Sequence, residues 1–137
     1  MKLEENSITI EQFESLHKCF FFDTYAFYEI IKENKNYEPY LDSVIITTKL
    51  NIFELYNRFL KSNNQDLADV SLEEYYPFAI DFNDEVIKNA AKLKILLNKR
   101  DVSMTDCIGY CFAKQLGVRF LTGDEAFEKL DNVEYVK

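Results

Sequence analysis

Histidine occurs once in these 137 residues, as His17, and tryptophan does not occur. One histidine ahead of the first predicted strand leaves little material for a histidine pair or a serine triad, and His17 is read as a surface or packing residue. Glycine is nearly as scarce. Gly109, Gly117 and Gly123 are the whole set, none makes a phosphate-cradling loop, and nucleotide-binding fingerprints are therefore absent. The three cysteines, Cys19, Cys107 and Cys111, form no Cys-x-x-Cys pair. Cys107 and Cys111 share one helical face, where thiols pack as small hydrophobes, so no zinc site is expected. No apolar run is longer than Cys19 to Phe22, and Met-Lys-Leu-Glu-Glu at the N-terminus lacks an apolar core. Neither export nor a membrane span is expected, and the chain is read as cytoplasmic. Positive charge is short too: 16 basic against 24 acidic residues give a net charge of −8. That balance provides no general footprint for DNA or an anionic membrane, so any nucleic-acid contact must be local.

What is present suffices for one domain, since a chain of this length buries roughly two thirds of its unfolded surface without needing a disulfide or structural metal. Residues 1–17 are acidic and polar apart from Ile10, Phe13 and Leu16, a spacing that predicts one short surface helix as an N-terminal extension. The domain proper is expected over 18–137. Lys18 to Asp23 is an apolar run ending in an acid, as in a strand buried on both faces. Thr24 is the expected N-cap of a helix to about Asn34, and a loop with Pro39 follows. A β-branched strand over 43–48 leads into a helix from about Leu50 to Ser62 whose polar stripe is Asn51, Glu54, Arg58 and Lys61. A helix near 65–75 must end before Pro77, and Phe78 to Phe82 reads as a third strand. Asn83 caps the next helix, Asp106 lies in the first turn of the one after, and Gly117 stops it. A strand Val118 to Leu121, a brief helix to Leu130 and a fifth strand over 132–136 complete an α/β domain with a mainly parallel sheet.

In such a sheet Asp23, Glu54, Asp106 and Asp124 each fall at a strand end or in a first helical turn, the positions that face one rim. Grouped carboxylates repel one another, and the arrangement persists mainly when a hard divalent cation neutralises it. An oxygen-only set suits Mg²⁺ or Mn²⁺. Each acid also has an ordinary explanation. Asp106 completes a capping-box pattern with Ser103, Asp124 and Asp23 can act as N-caps, and Glu54 precedes Arg58 by the four residues that favour a surface ion pair.

Several stretches resemble the PIN domain, the small nuclease fold of VapC-type toxins and related RNA-processing proteins. Phe-Phe-Asp-Thr-Tyr-Ala-Phe at 21–27 resembles its opening strand and first acid, and Thr-Thr-Lys-Leu-Asn-Ile-Phe-Glu-Leu at 47–55 its second strand and the helix bearing its glutamate. Asp106-Cys-Ile-Gly-Tyr-Cys-Phe-Ala-Lys-Gln-Leu-Gly resembles the helix with the third acid. Leu-Thr-Gly-Asp-Glu-Ala-Phe at 121–127 is similar to the family's Thr-x-Asp-x-x-Phe turn with the fourth. The resemblance implies a three-layer α/β/α sandwich with five strands in the order 3-2-1-4-5. It implies Asp23, Glu54, Asp106 and Asp124 as catalytic, metal-binding acids supported by Thr122. The implied activity is a Mg²⁺- or Mn²⁺-dependent endoribonuclease, with a small antitoxin protein and a homodimer as expected partners. Lys49, Arg58 and Arg119, each near an acid in sequence, are the candidate RNA contacts, while Tyr25 is read as packing rather than stacking on a base. The alternative from another class is a catalytically silent PIN-like module that binds protein or RNA. Phosphatases of the haloacid-dehalogenase type rank lower, because Tyr25 stands where their second aspartate belongs.

Overall fold

The structure, a computed structural model, describes residues 18–98 and 100–137. The helix expected within residues 1–17, with His17, lies outside the described residues. Four strands, β1 (Cys19–Phe22), β2 (Val44–Ile46), β3 (Arg119–Thr122) and β4 (Val133–Tyr135), form one sheet in the order β2-β1-β3-β4, with every pair parallel. The helices are α1 (Thr24–Ile31), α2 (Lys49–Lys61), α3 (Gln65–Tyr75), α4 (Asp84–Leu96) and α5 (Met104–Leu116). Short 3-10 turns occupy Lys35–Tyr40, which contains Pro39, Tyr76–Phe78 and Glu125–Phe127.

Alternation along the strands builds two cores. Phe21 of β1 and Phe120 of β3 pack with Val86, Ala90, Cys107, Ile108 and Phe112 from α4 and α5. On the other face Phe20, Phe22 and Leu121 pack with Phe27, Ile52, Leu55, Phe59 and Ala68 from α1, α2 and α3. These are the three layers expected of side chains that alternate across a fully covered parallel sheet. Helix α5 lies close to the sheet at Gly109, where an added Cβ would sit 2.8 Å from Phe21 Cε1 and 3.0 Å from Phe120 Cε1.

The helix starts follow local chemistry. Thr48, Asn64, Asn83 and Ser103 each accept a backbone N–H of the first turn, satisfying donors that the helix leaves unpaired. Thr24 departs from expectation: it is the first helical residue, and Asp23 holds the N-cap position without a side-chain capping bond. The strand expected over Phe78 to Phe82 is also reduced, to a single parallel bridge between Thr47 and Ala79. Only Thr47 remains to pair with it, through Thr47 N–H to Phe78 O (3.2 Å) and Ile80 N–H to Thr47 O (2.9 Å), because Thr48 already caps α2. Counting that bridge as the outer position, the expected order holds with four strands and a remnant. No described helix is long and apolar enough to cross a membrane.

Candidate active site

The buried strand β1 delivers Asp23 to the C-terminal rim, where only 2% of the residue is exposed. Its backbone N–H donates to Leu121 O (3.1 Å), which extends the β1–β3 pairing by one bond past the strand end. Thr122, fully buried at the end of β3, donates its hydroxyl to Asp23 Oδ2 (2.7 Å) and accepts the N–H of Asp124 (3.1 Å). The other oxygen, Asp23 Oδ1, is buried and has no hydrogen-bond partner among the described residues. An unpaired carboxylate oxygen out of water is costly unless something cationic or a proton satisfies it.

The rim's remaining acids converge on the same place. Asp23, Glu54, Asp106 and Asp124 line one cleft of about 390 Å³, together with Thr24, Tyr25, Asn57, Arg58 and Lys61. Glu54 accepts from Thr24 Oγ1 at 2.8 Å and, at the long distance of 3.4 Å, from Ser103 Oγ. Asp106 and Ser103 do form the capping box: Ser103 N–H donates to Asp106 Oδ2 (3.0 Å) and Asp106 N–H to Ser103 Oγ (3.1 Å). Asp124 likewise accepts the Ala126 N–H at 3.0 Å as the cap of a turn. The ordinary roles of Asp106 and Asp124 are thus filled, yet these residues still line the cleft.

The electrostatics record the crowding. Burial pushes the Asp23 carboxyl well above the usual carboxylate range, and the negative charge of Asp106 adds to the rise. Burial, then the charges of Glu54 and Asp124, lifts Asp106 to about 6 against the opposing pull of its hydrogen bonds from Ser103. Among the described residues, no ion pair reaches any of the four acids. The sequence profile of the PIN domain matches residues 20–133. The chain belongs to the PIN domain family.

Two solved structures share this PIN fold. VapBC2 from Rickettsia felis, bound to a DNA fragment from its promoter, superposes with a TM-score of 0.67 at 18% identity, over 87% of this chain and 99% of the other. A toxin-antitoxin complex from Klebsiella pneumoniae gives 0.63 at 13% identity, over 84% and 95% respectively. No curated protein sequence matches the chain.

The donor set of this PIN domain fits a hard divalent cation. It is made of oxygen, and it includes one buried oxygen with no partner of its own. Among the described residues no three acidic, histidine or cysteine side chains are already gathered as a closed shell. Mg²⁺ does not require one, because it retains several waters and is held by one or two carboxylates plus substrate phosphate.

Of the expected RNA contacts, the structure brings only Arg58 into the cleft. Its guanidinium stacks 3.4 Å from the centroid of the Tyr28 ring, which itself stacks on Phe59. It forms no ion pair with Glu54 among the described residues. Lys49 is exposed at the start of α2 and does not line the cleft. Arg119 pairs with Glu134 at 3.1 Å at the opposite, N-terminal end of β3. Sequence reasoning missed Asn57 and Lys61 as cleft residues, although they stand three and seven positions after Glu54, on its helical face. Tyr25 lines the cleft and packs on Gly123, where any Cβ would meet both the Tyr25 ring and the Val136 carbonyl. Gly123→Ala is therefore expected to cost about 1–3 kcal/mol by overpacking. Urea denaturation measures this directly, and an unchanged midpoint would show that Tyr25 and the backbone at Val136 yield freely.

Proposed function

We propose that this PIN domain is a Mg²⁺- or Mn²⁺-dependent endoribonuclease, with residues 18–137 as the nuclease domain, 1–17 as an extension, and Asp23, Glu54, Asp106 and Asp124 as its metal-binding acids. The observation that carries the reading is the buried, unpartnered Oδ1 of Asp23 at the head of a cleft lined by three further carboxylates. The negative charges of Glu54 and Asp124 raise the proton affinity of Asp106, and that of Asp106 raises the proton affinity of Asp23, so the cleft favours a cation. A divalent cation held there supplies activation of an attacking water and stabilisation of the departing oxygen. Thr122 orients Asp23 through Oδ2, which leaves Oδ1 as the oxygen offered to the ion. Arg58, braced on Tyr28, and Lys61 provide cationic donors in the cleft for phosphate. These two cationic side chains only partly offset the four carboxylates of the cleft, and a bound divalent cation would supply the rest.

The reading includes a partner. A small antitoxin protein inserted at the acidic cleft is the assembly we infer, supported by the toxin-antitoxin complexes that share the fold; a homodimer of the toxin is inferred from the family resemblance alone.

Cleavage of a labelled mixed RNA pool in Mn²⁺, Mg²⁺ or EDTA tests the activity, with Asp106→Asn and Asp124→Asn alongside. Cutting should require the metal and drop by at least about a hundredfold in both folded variants, since even outer-shell changes cost 10–100-fold. Absence of cutting in either metal, with no Mn²⁺-induced rise in melting temperature, would leave a PIN domain that binds a partner without cutting.

A further inference from the structure

The side chain of Asn51 is fully buried, and its helix start does not account for it. The cap of α2 needs only the Asn51 backbone N–H, which donates to Thr48 Oγ1 at 3.3 Å. The side-chain amide is engaged elsewhere. Thr48 donates its one hydroxyl proton to Asn51 Oδ1 (2.7 Å), which turns Nδ2 toward Thr24, and Asn51 Nδ2 donates to Thr24 Oγ1 (3.2 Å). Thr24 in turn donates to Glu54 Oε1 (2.8 Å). Every proton in this chain points the same way, from Thr48 through Asn51 and Thr24 to a carboxylate that accepts.

We propose that Asn51 is a positioning residue of the site, fixing the carboxylate of Glu54 through Thr24 so that Glu54 meets the divalent cation in a single geometry. This inference rests on the metal-site reading above. Asn51 and Glu54 lie three residues apart on α2, one turn of the same face, whereas Thr24 follows Asp23 directly at the start of α1. The relay therefore ties the acid on α2 to the strand end that carries the most buried acid. Without it, Glu54 retains only the 3.4 Å contact with Ser103, which is too long to hold a flexible side chain.

The test measures Mn²⁺ affinity by calorimetric titration of the full chain without RNA, and melting temperature in EDTA, for Asn51→Leu, Thr24→Val and Thr24→Ser. Each change is also made in a Glu54→Gln background. Asn51→Leu and Thr24→Val should weaken Mn²⁺ binding by roughly 10–100-fold, the range for outer-shell partners. Thr24→Ser, which keeps the hydroxyl, should stay within about threefold of the parent, well below that range. On top of Glu54→Gln the same changes should weaken Mn²⁺ no further, because the relay acts through Glu54. A purely structural role would instead lower the melting temperature and add its full effect in both backgrounds, and that result overturns the proposal. So does normal Mn²⁺ binding by folded relay variants, which leaves the nuclease reading intact. A parent that binds no Mn²⁺ overturns both, and is recognised before any variant is made. Should Asn51→Leu fail to fold, the near-isosteric Thr24→Val and its Thr24→Ser counterpart decide the question.

Discussion

Asp23→Asn is expected to lower metal-dependent RNA cleavage by a factor on the order of 10³, and at the same time to raise the melting temperature of the metal-free protein at pH 7. The two effects have one cause. Asp23 is 2% exposed, its Oδ1 has no partner, and both burial and the charge of Asp106 oppose its ionisation. The amide keeps an acceptor for the Thr122 hydroxyl but removes the charge. The new Nδ2 becomes a buried donor without a partner, a cost of about 1–3 kcal/mol. Keeping an acid in the same place costs more, on the order of several kcal/mol, whether it is desolvated as a carboxylate or held protonated against the bulk pH. The balance favours the variant only while no cation is bound, so Mn²⁺ should stabilise the parent and leave Asp23→Asn unmoved. Thermal melts in EDTA and in Mn²⁺ separate the two states. If Asp23→Asn melts lower than the parent in EDTA, the buried Asp23 carboxyl stabilises the metal-free fold and does not oppose it.

That contrast explains which parts of the molecule were legible in the sequence. The run Cys-Phe-Phe-Phe followed by Asp23 specifies a central parallel strand because Phe21 must bury on one face and Phe20 and Phe22 on the other. Pro77 located the end of α3, and Gly117, at φ 74°, the end of α5. The Phe78 to Phe82 strand failed for a reason outside its own composition: its neighbour β2 ends three residues after it begins and turns into a helix cap. Phe78 and Ile80 are left 39% and 41% exposed. The four acids could be placed at a rim from the order of elements alone. Their neighbours depended on tertiary placement. Thr24 was expected to cap α1, whereas it spans α1 and α2 through Asn51 and Glu54. Arg119 is near Asp124 in sequence, but a parallel strand of four residues carries it to the other end of the sheet. Lys61, seven positions from Glu54, reaches the cleft by helical geometry.

In EDTA the stability of the protein is expected to fall as pH rises from about 4 to about 6, contrary to the usual gain in stability as acids ionise. Asp106 sets the window. Its carboxyl releases a proton near 3.8 in the unfolded chain and near 6 in the folded one. Between those values the folded state holds more protons than the unfolded state, so unfolding becomes easier as pH increases. The stabilisation is complete below the unfolded value and is lost as pH passes the folded one. A difference of about two units corresponds to at most about 3 kcal/mol. Asp23 shifts in the same direction and should extend the decline. Asp131, held below its ordinary value by Tyr110 and Lys114, acts in the opposite sense and only at the acid end. A cation competes with these protons for the same oxygens, so Mn²⁺ should stabilise little at pH 4 and most above pH 6. A concentration one hundred times the dissociation constant is worth about 2.7 kcal/mol, comparable to what the acids withhold. Urea denaturation at stepped pH, with EDTA or Mn²⁺, measures both curves. A flat EDTA profile from pH 4 to 6, or one that Asp106→Asn leaves unchanged, would mean that the rim acids do not compete for charge. If they do compete, the metal-free fold and the loaded site are opposing demands on the buried carboxyls of Asp23 and Asp106, and the cation is what reconciles them.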